Sequence, residues 1–193
     1  MRISKIIILI ILCLGYVKYS LAKELQERSL GSKDANHVII EYASLSCVHC
    51  ANFHKNDFPE IKEKLIDTGK VRFIFRDFPL DLPAMIGSMV SQCQDNNKYF
   101  IVLNTLFKNQ KKWVTSPDIK LAIADVLKEY GFTKESVENC VVENDTNTVR
   151  WKNILNLRLK AQEMGVDSTP TFFVNNTQIT GSLDVKKIKD LID

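Results

Sequence analysis

Apolar positions along the chain fall into contrasting patterns, and each predicts a different element. Val38, Ile39, Ile40 and Tyr42 lie in a continuous run from His37 to Ala43, and a second run extends from Val71 to Phe78 and stops at Pro79. Both are rich in β-branched and aromatic residues and read as largely buried strands. Between them Cys50, Phe53, Ile61 and Leu65 fall close to helical spacing, and Gly69 ends the run. Pro59 cannot donate to the carbonyl of Lys55, so a kink is expected there. Strand, helix and strand together imply a right-handed parallel crossover. Residues 24–36 are polar, and Gly31-Ser32-Lys33-Asp34 reads as a turn or loose lead-in.

The middle of the chain has no strand signal. Met85, Ile86, Met89, Val90 and Cys93 repeat at helical spacing, as do Tyr99, Phe100, Leu103, Leu106 and Phe107. Ser116-Pro117 reads as a cap with proline at the first helical position, and Gly131 closes that helix. Thr133 caps a short helix with Val137, Cys140 and Val141 on one face. Val149 to Met164 reads as a long amphipathic helix with Trp151, Ile154, Leu155 and Ala161 as core candidates, and Met85, Met89 and Trp113 also belong inside. Thr171 to Val174 and Gln178 to Thr180 read as short strands around an Asn175-Asn176 turn, and a last helix runs from Leu183 to Ile192. The sum is an α/β fold, residues 23–81 and 147–193, interrupted by a helical segment, residues 82–146.

Residues 1–22 change how the rest is read. Arg2 and Lys5 precede an unbroken apolar run from Ile6 to Leu14, and Ser20-Leu21-Ala22 has the small-x-small form of a cleavage site. With Gly15 to Val17 the run reaches about a dozen residues, short of the ~20 that span a bilayer. A cleaved secretory signal is the expectation, with Lys23 as the mature start and an oxidising compartment as the destination. Cys13 follows Leu12 where lipid attachment would want a small residue. The formal charge of +3 also resides here: without this segment the chain has 23 basic and 23 acidic residues, interleaved throughout. That excludes a dedicated nucleic-acid surface. Four cysteines remain: Cys47, Cys50, Cys93 and Cys140.

Cys47-Val48-His49-Cys50 sits at the predicted strand-to-helix junction. A first cysteine at a helix N-terminus faces unpaired backbone N–H groups and the positive end of the dipole, both favouring thiolate. His49 can donate a hydrogen bond or charge to that sulfur. Cys50 lies three residues on, within reach to close a disulfide, and faces inward. Cys47 is therefore the attacking sulfur and Cys50 the resolving one. A stabilised thiolate makes the disulfide oxidising: three pKa units correspond to about 4 kcal/mol, on the order of 90 mV in a two-electron couple. Thr169-Pro170-Thr171, just before a strand, contains an X-Pro bond that is a candidate for the cis form. The same cysteines with His49 and His54 could form a zinc site, but all four groups crowd about one helical turn, whereas structural sites draw ligands from separate elements.

The motifs Glu41-Tyr42-Ala43-Ser44, Cys47 to His54, Arg76-Asp77-Phe78-Pro79-Leu80 and Thr169 to Phe173 resemble the DsbA family of bacterial thiol–disulfide oxidoreductases, more narrowly its α-proteobacterial, rickettsia-like members. The resemblance implies a thioredoxin fold with an inserted helical domain and periplasmic location. It also implies disulfide donation to reduced secreted or outer-membrane proteins, reoxidation by a DsbB-like quinone-linked membrane protein, no cofactor of its own, and a monomer. Carried over by residue, Cys47 matches the attacking cysteine, Cys50 the resolving one, His49 the thiolate-stabilising histidine and Pro170 the cis-proline, with Thr169 beside it for substrate. Glu41 matches a buried acid that assists proton transfer at Cys50, although by pattern alone it could be a surface carboxylate. Val48 departs from the proline common between the cysteines. His54 replaces an acid of the best-known members and is expected to be solvated. Thr169 replaces a frequent valine and occurs in disulfide isomerases, so isomerase is the rival activity. A secreted metal-binding module without turnover is the rival from another class. Cys93 and Cys140 are either buried free thiols or, in a secreted chain, a disulfide; the family's α-proteobacterial members often carry such a pair. The bridge would close a loop of about 48 residues, worth roughly 4 kcal/mol in the chain-entropy treatment.

Overall fold

A computed structural model describes residues 27–192. The signal-peptide reading, Cys13, the cleavage position after Ala22 and Lys23 lie outside these residues. Among the described residues no helix is long and apolar enough to cross a membrane.

Five strands form one sheet: β1 (Arg28–Leu30), β2 (His37–Ala43), β3 (Val71–Asp77), β4 (Thr171–Val174) and β5 (Thr177–Thr180), in the spatial order β1-β3-β2-β4-β5. β2 and β3 are parallel, with His37 opposite Val71 and Ala43 opposite Asp77. The other pairings are antiparallel. β1 has no counterpart in the pattern of apolar residues, because three residues are too few to display a period of two. It is held from outside: the buried Arg28 donates to Gln92 Oε1 at 3.0 Å and lies 4.7 Å over the Tyr99 ring.

The alternation of side chains across the strands divides the interior in two. Ile39, Phe73, Phe75, Phe172 and Val174 join the main core, whereas Tyr42 packs with Phe78, Ala161 and Val166 on the opposite face. The main core is continuous from the sheet into the helices, reaching Trp113, Ile123, Leu127 and Val137. Those helices are α1 (Val48–Asn56), α2 (Phe58–Ile61), α3 (Leu82–Gln92), α4 (Asn96–Lys108), α5 (Gln110–Trp113), α6 (Ile119–Leu127), α7 (Lys134–Val141), α8 (Asp145–Glu163) and α9 (Val185–Ile192). Every regular element between β3 and β4 is helical.

Local chemistry explains where the helices differ from the sequence reading. At Pro59 the chain breaks rather than kinks: α1 ends at Asn56, and Pro59 stands at the start of α2, where a missing N–H costs nothing. A π-helical turn, Lys62–Ile66, follows and closes with Asp67 N–H donating to the Lys62 carbonyl. The cap of α6 is Asp118, whose Oδ1 accepts from Leu121 N–H at 3.0 Å, rather than Ser116. Pro117 therefore precedes the helix. Thr133 caps α7 through a reciprocal pair with Ser136. On α8 the buried residues are Asn147, Ile154 and Ala161, a narrow stripe seven residues apart. Trp151 and Leu155 fall beside that stripe and are exposed, not core. Cys93 and Cys140 are joined as a disulfide linking the end of α3 to α7.

Gly31, just after β1, brings its backbone close against the start of β3. Its φ is +87°, and a Cβ would lie 2.6 Å from the Val71 carbonyl oxygen. Gly31→Ala is expected to destabilise by about 2 kcal/mol or more, from a left-handed conformation plus a clash with rigid backbone. Urea unfolding checks this; wild-type stability in the variant would contradict the approach.

Candidate active site

The site forms where β2 ends. Cys47 N–H donates to the Ser44 carbonyl at 3.0 Å, and Cys47 itself is the N-cap of α1, in extended conformation. Its Sγ accepts from the Cys50 backbone N–H at 3.3 Å, the place a capping oxygen ordinarily takes. Gln110 on α5 holds the turn from beneath, its Nε2 donating to the Leu45 carbonyl at 2.8 Å and the Cys47 carbonyl at 2.9 Å. Nothing in the pattern of residues signals this buried glutamine, because its partners are backbone atoms more than sixty positions away.

The two thiols are free and sit in opposite environments. The Cys47 pKa falls to about 5. Its largest cause is the Cys50 thiol donating to it; the Thr169 hydroxyl and the N–H groups of Cys50 and His49 add to this against the opposing effect of burial. At neutral pH Cys47 is essentially all thiolate. Cys50 is fully buried, and burial first, the hydrogen bond to Cys47 second and the Glu41 charge third push its thiol far up. One sulfur is poised bare and its neighbour is held protonated.

The other candidate residues are placed as follows. The Thr169 carbonyl oxygen lies 3.2 Å from Cys47 Sγ, and the Thr169–Pro170 peptide bond is cis. The Thr169 hydroxyl is buried without a hydrogen-bond partner of normal geometry among the described residues. The His49 side chain points to solvent, and its ring makes no hydrogen bond among the described residues, so this residue reaches the sulfur through its backbone. Glu41 is completely buried rather than on the surface. Its position in β2 shares the parity of Ile39 and Ala43, which face the main core, and that parity was the available signal.

His54 differs most from expectation: it is buried, not solvated. Its Nε2 lies 2.9 Å from Glu41 Oε2, its Nδ1 lies 2.9 Å from Asn104 Oδ1 on α4, and its ring stacks on Phe107 at 4.1 Å. It stands four residues after Cys50, on the same inward face of α1. Among the described residues no group of three or more His, Cys, Asp or Glu side chains is arranged to hold a metal ion. Val48, Leu80 and Leu82, in the segments that follow the ends of β2 and β3, expose apolar surface.

A family model described as Thioredoxin matches residues 23–193. A protein of Rickettsia bellii named a protein-disulfide oxidoreductase is 32% identical over 165 residues, covering 85% of this chain and 62% of its own length. A protein of the same description from Rickettsia conorii is 30% identical over 178 residues, covering 92% and 63% respectively. The chain thus spans a little under two thirds of the length of these curated relatives. The crystal structure of alpha-DsbA1 from Wolbachia pipientis superposes with a TM-score of 0.75 at 30% identity, covering 86% of this chain and 89% of that one.

The depressed pKa of Cys47 has a consequence for stability. A thiol more acidic when folded than when unfolded stabilises the reduced protein fully above the unfolded value near 9, and that contribution is lost as pH falls through about 5. Between these limits reduced wild type should gain on reduced Cys47→Ser by up to about 1.4 kcal/mol per pH unit. Urea unfolding from pH 6 to 8 measures the gap, and a gap independent of pH would contradict the thiolate geometry.

Proposed function

This chain belongs to the DsbA-type branch of the thioredoxin family, and from that premise we propose that it is a periplasmic thiol:disulfide oxidoreductase that donates a Cys47–Cys50 disulfide to secreted proteins during oxidative folding. The observation that carries this reading is the asymmetry of the pair, with Cys47 near 5 and Cys50 pushed far up by burial. A dithiol that favours one bare sulfur favours its reduced state, so its disulfide is readily passed on.

In the reaction a substrate thiolate attacks Cys47 Sγ. The Cys47–Cys50 bond breaks, a substrate–Cys47 disulfide forms, and the electron pair stays on Cys50 Sγ, which is protonated. Glu41, whose charge already acts on Cys50, serves that proton transfer. A second substrate thiolate then attacks the substrate sulfur, and Cys47 leaves as the thiolate held at the start of α1. The substrate loses two electrons and the enzyme's disulfide gains them. Thr169 and Pro170 offer backbone beside the reacting sulfur for an extended substrate, and Val48, Leu80 and Leu82 offer apolar contact to an unfolded chain. Reoxidation falls to a DsbB-like membrane quinone reductase. Residues 1–22 serve as the signal that delivers the chain to the periplasm, removed after Ala22.

The test is transfer to a reduced, unfolded protein carrying two thiols. Oxidised wild type should oxidise it stoichiometrically, Cys47→Ser should be inactive, and Cys50→Ser should accumulate a mixed disulfide through Cys47. Retention of activity in Cys47→Ser, or a wild-type disulfide that stays closed before excess reduced substrate, would overturn the assignment.

A further inference from the structure

The turn that carries the attacking sulfur rests on the helical segment between β3 and β4. Leu45, in that turn, is completely buried. Gly87 on α3 and Trp113 at the end of α5 close on it: a Cβ on Gly87 would lie 2.9 Å from Leu45 Cδ1 and 3.0 Å from the Trp113 ring. Trp113 is itself fixed, its Nε1 donating to the Leu106 carbonyl on α4 at 2.9 Å. One polar side chain reaches through this packing. Gln110, 4% exposed, donates from Nε2 to the Leu45 carbonyl at 2.8 Å and to the Cys47 carbonyl at 2.9 Å. A primary amide nitrogen has two hydrogens, and both go to carbonyls two residues apart. The Cys47 carbonyl also accepts from Ala51 N–H at 3.1 Å, the bond that starts α1. The oxygen that opens the helix is therefore tied to Gln110.

We propose that Gln110 is a positioning residue for the Cys47 sulfur, through which the helical segment sets how strongly the protein favours its reduced cysteine pair. The inference deepens the thiol-exchange reading above and rests on it. In the reduced protein no covalent bond holds Cys47 Sγ in place. It stays 3.3 Å from the Cys50 N–H because the backbone on either side of it is held. In the oxidised protein the bond to Cys50 fixes the sulfur by itself. Loss of the clamp therefore weakens the reduced form more than the oxidised form, and the disulfide becomes a poorer oxidant. Gln110 exchanges no proton or electron in this scheme; it acts on the equilibrium alone.

The chemistry of the side chain suits this role. Glutamate at the same place would set a carboxylate against two carbonyl oxygens. An apolar side chain of the same length would fill the space but leave both carbonyls without the amide, which is costly at this depth. Asparagine would keep the two hydrogens and lose the reach.

The experiment titrates Cys47 by thiolate absorbance and equilibrates the cysteine pair with glutathione, in wild type, Gln110→Met and Gln110→Asn. Both variants should raise the Cys47 pKa by about one unit and make the disulfide about tenfold less oxidising, about 30 mV in a two-electron couple. Urea unfolding of the two redox forms should show the reduced form losing about tenfold more in its folding equilibrium than the oxidised form. Equal losses in both forms, with the titration and the glutathione equilibrium at their wild-type values, would make Gln110 merely structural and overturn the proposal. A measurement on wild type needs no variant to fold. Couplings across the hydrogen bonds, from the Gln110 side-chain nitrogen to the Leu45 and Cys47 carbonyl carbons, should appear in the nuclear magnetic resonance spectrum of the reduced protein, and their absence would also overturn it. Failure of oxidised wild type to oxidise a reduced protein would instead remove the exchange reading, while the Cys47 titration would still decide the role of Gln110.

Discussion

The site depends on the two donors that Cys50 offers the Cys47 sulfur, its thiol, which lowers the Cys47 pKa most, and its backbone amide, 3.3 Å away at the first turn of α1. A helix N-terminus leaves backbone donors unsatisfied, and a serine or aspartate commonly answers them with oxygen. Here sulfur occupies that position, and the need of the helix for an acceptor becomes a preference for thiolate. The rest of the local structure keeps the contact in register. β2 delivers the chain through Ser44, and Gln110 clamps the Leu45 and Cys47 carbonyls from a helix distant in sequence. Thr169 closes the far side of the sulfur.

The same helix places Cys50 three residues on and one layer deeper, where the core lowers the dielectric that Cys47 partly escapes. Two identical side chains thereby acquire opposite chemistry, with position in the fold as the cause. Burial that suits a protonated thiol also demands an account of every other polar group at that depth. Glu41, His54 and Asn104 supply it as a connected set, drawn from β2, α1 and α4. A carboxylate in such a place without a partner would cost far more than any single surface ion pair contributes.

The contrast between His49 and His54 shows where the linear chain misleads. His49 lies between the cysteines, yet its ring faces solvent and only its backbone acts on the sulfur, as the smallest of the influences that lower the Cys47 pKa. His54 lies outside the motif and is buried against the acid. Helical geometry accounts for both: a residue two places from Cys47 points away from the core, and one four places from Cys50 returns to the face Cys50 occupies. Trp151 and Leu155 err in the opposite direction, apolar residues on a helix that touches its neighbours along too narrow a line to cover them.

By itself the sequence specified the strands β2 and β3, the position of the cysteine pair at a helix start, and the cap of α7. Each follows from interactions among residues a few places apart, which composition and spacing record directly. The register of β1, the burial of Glu41 and His54 as a couple, and the clamp by Gln110 were decided only when distant segments met. Arg28 needs Gln92 and Tyr99 to hold a three-residue strand. His54 needs an acid from one element and an amide from another before its ring has a fixed orientation. Such contacts depend on the whole core being assembled, and no local pattern carries them.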